Sequence, residues 1–149
     1  MKTTARLFAA TAIAGAIAAI AFTASAAPGD KVALQSAGAL AFAPGGVLLI
    51  GDSLGGQIVA VETGDTAKGS AGNVEIADLG GKIAAMLGTT ADQIAVNDVA
   101  VNPVSGSVYR SVTRGLGVEA KPVVLKADRS GVLTEVSIDM LKHTAVSLS

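Results

Sequence analysis

The sequence contains no cysteine and no tryptophan, and only one tyrosine and three phenylalanines among its 149 residues. Without cysteine the chain has no disulfides, no thiol chemistry and no thiolate metal ligands. With so few aromatic side chains, it nearly lacks the stacking platforms that proteins use to bind bases or sugars. The fold must therefore depend on an aliphatic core, for which the length of one domain is adequate.

Concentrated positive charge is also missing. Of the eleven Lys and Arg residues, Lys2 and Arg6 lie in an N-terminal segment that we expect to be removed, which leaves nine against twelve acidic residues. A surface that binds nucleic acid needs clustered positive charge to neutralise phosphates. We therefore expect no nucleic-acid partner.

The first 26 residues are typical of a secretory signal peptide. Two positive charges precede an apolar run at 7–22, and small residues at 24–26 form a cleavage site. The run is shorter than the roughly 20 residues of a membrane-spanning helix. We expect cleavage after Ala26, export to the periplasm or the extracellular space, and no membrane attachment of the domain at 27–149.

This domain has the alternation of short apolar runs and turn residues that is typical of β-structure. Only residues 83–87 have a helical composition, and 89–93 are expected to add a helical turn. Strands are predicted at 39–43, 47–51, 57–62, 74–77, 99–102, 107–113, 123–127 and 133–138.

The predicted strands form two similar units, at about 38–78 and 97–138, with a helical insert at about 80–93. In each unit an apolar strand ends in proline, Pro44 or Pro103, and a glycine-containing turn follows. Four antiparallel strands joined by tight turns and repeated are typical of β-propeller blades. A two-sheet sandwich gives turn signals at a similar spacing, but it does not require the same order twice. The predicted fold is therefore all-β, with four-stranded blade-like repeats of an incomplete β-propeller and one short helical insert.

The repeats resemble blades of the six-bladed, calcium-dependent propellers of the gluconolactonase, senescence-marker and NHL-repeat superfamily. The resemblance rests on NDVAVNP from Asn97 and on AFAPGG followed by Asp52 and Ser53, and it covers roughly 38–138. It implies that Asn97 faces a central channel and, with Asp98 beside it, ligates a divalent cation such as calcium. The alternative is that Asn97 and Asp98 form a turn whose side chains bind their own backbone.

Two blades do not close a ring, because propellers need four to eight. Three arrangements remain open: a truncated copy of a longer propeller, a ring of two or three associated copies, or two sheets closed as a sandwich. Residues 145–149 are apolar and are expected to lead into a further strand, which favours truncation.

A second resemblance points to an enzyme. Residues 47–54 resemble the nucleophile block of the GDSL esterases, which implies Ser53 as nucleophile, Asn97 as oxyanion donor and His143 as base. In that family a helix follows the serine, whereas here a turn and a strand are predicted. The alternative is that Ser53 lies in a turn between two blade strands.

Two further features complete the sequence-based interpretation. Arg110 and Arg114 share one face of a predicted strand and form either a small anion site or a solvated face. Residues 65–73 are interpreted as a polar surface loop. We favour an exported binding or scaffold module of unknown ligand, with self-association to cover open blade edges, over a secreted lactonase or esterase.

Overall fold

The computed structural model describes residues 31–69 and 73–148. The signal peptide expected at 1–26 lies outside these residues. The described part folds into two four-stranded antiparallel sheets and one α-helix, with several short 3-10 turns. None of its helices is long and apolar enough to cross a membrane. The expectation of a mostly β fold with one helix is confirmed.

The first sheet, sheet A, is built from both ends of the described chain. Its strands lie in the order β1 (Leu40–Ala43), β2 (Val47–Asp52), β3 (Gln57–Glu62) and β8 (His143–Ser147).

The fourth strand of sheet A corrects the sequence-based prediction. The strand expected at 74–77 is not formed, because β8 pairs along β3 from Gln57 to Val61 and so occupies that edge. The C-terminal residues that were expected to lead into another strand are themselves this fourth strand. The polypeptide therefore returns from the second sheet to complete the first.

The second sheet, sheet B, follows chain order. Its strands are β4 (Ile94–Val101), β5 (Val108–Arg114), β6 (Lys121–Ala127) and β7 (Leu133–Glu135). Each strand is antiparallel to the next. The predicted strands in this region are formed, although β4 begins earlier and β7 ends earlier than expected.

Each sheet is an antiparallel ladder in which one row of directly paired residues crosses all four strands. The central rows are Leu40–Ile50–Val59–Ala145 in sheet A and Val99–Arg110–Leu125–Glu135 in sheet B. The unit predicted at about 97–138 thus forms one sheet, whereas the unit predicted at about 38–78 does not, because β8 supplies the fourth strand of sheet A.

The main core lies between the sheets. Because strand side chains alternate between faces, one face of sheet A collects large aliphatic residues, and sheet B covers that face with Tyr109 and Val124. The Phe42 and Tyr109 rings meet edge to face, with centroids 5.0 Å apart. The buried aliphatic residues of sheet A are Leu40, Leu48, Ile50, Val59 and Val61, each of which contributes about 1.5–3 kcal/mol by burial.

The helix α1 (Leu79–Met86) covers part of the opposite face of sheet B. It begins earlier than the composition predicts, because Asp78 caps it by accepting a hydrogen bond from the Gly81 amide at 3.1 Å. The small core under the helix consists of Ile83, Val112 and Leu125. The helical turn expected at 89–93 is a 3-10 turn at Ala91–Gln93.

Candidate functional site

Polar side chains of sheet B bind main-chain atoms of sheet A along a line that we call the inter-sheet seam. It consists of Asn97, Asp98 and Ser111 together with the backbone of residues 37–40. Asn97 Nδ2 donates to the Ala37 carbonyl oxygen at 2.8 Å, and Ser111 Oγ donates to that of Gly38 at 2.6 Å. Asn97 occupies a bulge in β4, where the register shifts between Val96 and Asp98, and a bulge re-aims a side chain in this way.

Asp98 completes the seam. Its Oδ2 accepts a hydrogen bond from the Leu40 amide at 2.8 Å, and its Oδ1 accepts one from Val99 at 2.8 Å. These two bonds, that from Leu40 first, hold the pKa of Asp98 below its usual value. The Leu40 amide belongs to the edge strand β1, so the carboxylate satisfies an N–H group that would otherwise be open to another strand.

The contacts of Asn97 and Asp98 describe the place of the calcium site that the propeller resemblance implies. Asn97 uses its amide nitrogen on Ala37 and Thr113, and Asp98 uses both oxygens on backbone amides. Across residues 31–69 and 73–148, no group of three or more His, Asp or Glu residues is placed to hold a metal ion. Calcium takes six to eight oxygen ligands, so Asn97 and Asp98 would supply only part of a site, and the calcium site stays a prediction.

Ser53 lies in the turn between β2 and β3. Its hydroxyl is 3.4 Å from that of Ser36, and the residue after it in the chain, Leu54, donates its amide to the same Ser36 oxygen at 3.1 Å. A strand follows Ser53, as the sequence indicates, and not the helix of an esterase nucleophile block. The turn interpretation of Ser53 therefore agrees with its position.

His143 lies at the other end of sheet A. It begins β8 opposite Val61, whereas Ser53 lies beyond Gln57 at the far end of the same strand. Four residues of extended chain separate the two levels, a distance of about 13 Å. His143 Nδ1 is 2.7 Å from the Leu141 carbonyl oxygen. Asn97 lies in the other sheet, so the fold does not bring the three predicted catalytic residues together.

Asp52, the residue before Ser53, is a buried hub. Its carboxylate accepts hydrogen bonds from the amides of Gln35, Ser36 and Gly55, from the Ser36 hydroxyl and from Gln57 Nε2, at 2.8–3.0 Å. Burial by itself would raise the pKa of Asp52, but these bonds outweigh it and hold the pKa far below its usual range. The carboxylate thus ties the chain that precedes β1 to the turn between β2 and β3.

Asp65, just after β3, is a second hub, and its side-chain partners all belong to sheet B or its first turn. Its carboxylate accepts hydrogen bonds from Ser105 Oγ at 2.7 Å, Tyr109 OH at 3.1 Å and Asn102 Nδ2 at 3.3 Å. Lys126 Nζ lies 3.2 Å from its other oxygen. The sequence-based interpretation of a surface loop missed this role, because nothing near Asp65 in the sequence marks it.

Asp65 and Tyr109 each affect the pKa of the other. Burial by itself would raise the pKa of Asp65, but hydrogen bonds from Ser105, Lys126 and others outweigh it and lower the pKa. Burial, and then the negative charge of Asp65, raise the pKa of Tyr109 well above its usual value. Tyr109 therefore stays a neutral donor, and the hub joins the sheets at the end away from Asp52.

Residues within 31–69 and 73–148 line a larger and a smaller concave surface. The larger, which we call the groove, has a volume of about 790 Å³, within the range of small-molecule sites. Its lining includes Lys31, Leu34, Lys121, Glu135, Ile138 and Met140. The smaller, which we call the Arg114 cavity, has a volume of about 190 Å³ and is lined by Thr89, Arg114, Gly115, Glu119 and Lys121.

Comparisons of the chain with protein-family models, with curated proteins and with solved structures found no match. The propeller family and the esterase family therefore stay predictions, and a functional conclusion has to rest on the geometry of the two sheets, the two hubs and the two concave surfaces.

Proposed function

We propose that the chain is an exported, propeller-type β-repeat protein that acts as a binding or scaffold module. The observation that carries the proposal is that two four-stranded antiparallel sheets of one chain pack face to face. Four-stranded antiparallel sheets that pack face to face are the arrangement of neighbouring propeller blades.

The use of the polar side chains supports binding over catalysis. Asp52, Asp65 and Asp98 each accept several hydrogen bonds that fasten one part of the fold to another. A general base needs a proton-accepting atom within reach of a nucleophile, and Ser53 lies about 13 Å along β3 from the level of His143. The groove offers a surface on which a ligand can be held.

Hydrolysis assays separate this proposal from the enzyme alternative. We expect the purified protein to hydrolyse p-nitrophenyl acetate and gluconolactone no faster than its Ser53→Ala variant. Activity that disappears in this variant would establish the esterase and overturn the proposal. Calcium should leave the melting temperature unchanged in both the wild type and Asn97→Ala, and a calcium-dependent rise that the substitution abolishes would establish a lactonase-like site.

The groove can be tested with a defined apolar probe. We expect 1-anilinonaphthalene-8-sulfonate to bind the folded protein, and Met140→Asp to weaken that binding, because Met140 lines the groove and is 84% exposed. Leu54→Asp is the matched control, since Leu54 is similarly exposed but lies in the β2–β3 turn. Equal loss in both variants, or in neither, would contradict the groove as the binding surface.

The export part of the proposal rests on residues 1–26 of the sequence. Expression of the full chain with a C-terminal tag should yield a mature protein that begins at Ala27 outside the cytoplasm. Recovery of the chain with its first 26 residues intact would contradict cleavage.

Self-association is proposed as the way in which open sheet surfaces are covered. Val99 and Val101 of β4 are 49% and 56% exposed, although the equivalent face of sheet A is covered by sheet B in the same chain. A second copy of the chain is the occupant that repeats this packing. Light scattering should show a concentration-dependent oligomer that Val99→Lys converts to monomer, and a monomer at all concentrations would overturn this part of the proposal.

A further inference from the structure

The Arg114 cavity holds two cations side by side. Arg114 ends β5 and Lys121 begins β6, and the two residues are directly paired across the strands. Their side chains therefore leave the sheet on the same face, the one on which α1 packs. Like charges placed directly opposite each other destabilise a sheet, so a negative group between them would stabilise this pair.

The protein itself does not supply an ionic partner for this pair within residues 31–69 and 73–148. The ion pairs there join Lys126 to Asp65 and Lys142 to Glu62, and neither involves Arg114 or Lys121. The Arg114 Nε atom is buried and has no hydrogen-bond acceptor. A buried donor without an acceptor carries an unfavourable desolvation free energy, so the described residues do not compensate the burial of this guanidinium.

The space beside the pair is large enough for a ligand. The cavity of about 190 Å³ also exposes Thr89, whose hydroxyl can donate or accept, and Glu119 lies on its border. About 10–15 Å³ of space open to the centre of a water-sized sphere is enough for one water molecule. The cavity therefore has room for a small polyatomic ion with its remaining hydration.

We propose that the Arg114 cavity binds a small oxyanion, a phosphate or carboxylate group. The guanidinium of Arg114 provides a planar fork of donors that matches two oxygens of such a group, and Lys121 adds a point charge. Glu119 is not within ion-pair distance of either cation in the described structure, so its negative charge opposes the anion instead of neutralising the site. This corrects the sequence-based pairing: Arg110 lies four residues from Arg114 on β5, and the buried Val112 separates them.

A competing explanation is that the two cations only stabilise the end of α1. Thr89 donates its amide to the Ala84 carbonyl near the C-terminal end of that helix, where positive charge is favourable. On that explanation, removal of Arg114 lowers the melting temperature by the same amount with or without an anion. The two explanations therefore differ in their dependence on anion concentration.

Isothermal titration calorimetry of the purified protein, at constant ionic strength, tests the proposal with inorganic phosphate and, separately, with acetate. We expect saturable one-to-one binding in the wild type. Arg114→Gln should weaken it about tenfold or more, the loss expected for one charge-assisted hydrogen bond. Tighter binding of phosphate than of acetate assigns a phosphate group as the ligand, and the reverse assigns a carboxylate.

Three further variants make the test specific. Arg114→Lys keeps the charge but loses the fork and should recover only part of the affinity. Glu119→Gln should tighten binding, a gain that damage to the fold does not produce. Lys68→Gln removes the same charge from an exposed loop that is not part of the cavity and should leave binding unchanged.

The proposal is overturned if neither anion binds in a saturable way up to about 50 mM, far above the millimolar range of weak specific sites. It is also overturned if Lys68→Gln weakens binding as much as Arg114→Gln, because that result indicates general charge screening. This inference does not depend on the proposed β-repeat module: oligomerisation and binding to the groove can fail while the anion still binds.

Discussion

The two sheets are both four-stranded antiparallel ladders but have different side chains at corresponding central positions. Ile50 at the centre of sheet A is fully buried against sheet B. Arg110 at the equivalent point of sheet B has a buried Nη1 atom without an acceptor, and burial lowers its pKa. The backbone hydrogen bonds therefore do not determine what packs against a sheet face; the side chains on that face do.

A second equivalent pair shows the same contrast at the end of the central strands. Asp52 pairs with Gln57 in sheet A, and Val112 pairs with Val123 in sheet B. The carboxylate of Asp52 collects hydrogen bonds from three segments, whereas Val112 lies under α1. In sheet A the residue at this position holds a turn by hydrogen bonds, and in sheet B the corresponding residue packs against a helix.

The largest expected effect comes from Asp52→Ala. The substitution removes one acceptor and leaves several donors without partners in a buried place, which we expect to destabilise the protein by about 3–5 kcal/mol. Urea denaturation measures the change. Ser53→Ala, one residue away in an exposed position, should change stability by less than about 0.5 kcal/mol. A loss below about 1 kcal/mol in Asp52→Ala would show that the hub does not hold the turn.

The next largest effect is expected from a substitution on the face of sheet A that packs against sheet B. Ile50→Ala opens a cavity between the sheets and should reduce the free energy of unfolding by about 2–4 kcal/mol. Ile58 pairs with Gly51 on the opposite face of the same sheet and is 39% exposed. Ile58→Ala is thus the matched control and should cost clearly less, since its side chain is already in partial contact with water. Equal losses would mean that sheet B does not cover Ile50 as described.

These local contrasts also explain how much the sequence could predict. The strands at 47–52 and 57–62 were predicted to within one residue, because apolar alternation and the glycine turn between them are local signals. The fourth strand of sheet A was assigned to 74–77 instead of 143–147. Both segments are short and apolar, and only long-range packing decides which one pairs with β3.

The candidate site was less predictable for the same reason. Ser53, Asn97 and His143 were residues of the right types, but their positions in three-dimensional space depend on the fold as a whole. Asp65 was missed because its hydrogen-bond partners lie 37 to 44 residues further along the chain. Lys121 was missed as the neighbour of Arg114, since a hairpin register is needed to place it there.

A smaller effect is the pH dependence of the stability that Asp65 contributes through its hydrogen bonds to sheet B. Its pKa is lowered in the folded state, so its contribution to stability is present above the unfolded value near 4 and is lost as the pH falls through the folded value. The stability difference between the wild type and Asp65→Asn should therefore shrink below pH 4, with a limiting slope of about 1.4 kcal/mol per pH unit. Urea denaturation from pH 7 to pH 2 measures it. A difference that stays constant over this range would mean that the carboxylate is not the stabilising form.

The smallest expected effect is a gain in stability, and it concerns Arg110, the residue of sheet B that corresponds to Ile50. Arg110 is flanked by Val99 and Leu125 in its row, and one of its nitrogens is buried without an acceptor. Replacement of such a charge by an apolar residue of similar length removes a desolvation penalty. Arg110→Met should therefore raise the free energy of unfolding by up to about 1 kcal/mol with or without phosphate, whereas any gain from Arg114→Met should disappear in phosphate, because the bound anion stabilises only the wild type. Thermal denaturation of both variants is measured in phosphate-free buffer and in phosphate. We expect Arg110→Met to be more stable than the wild type in both buffers. If it is less stable in both, the guanidinium of Arg110 has a stabilising partner, and this position of sheet B is stabilised by charge as Ile50 is stabilised by packing.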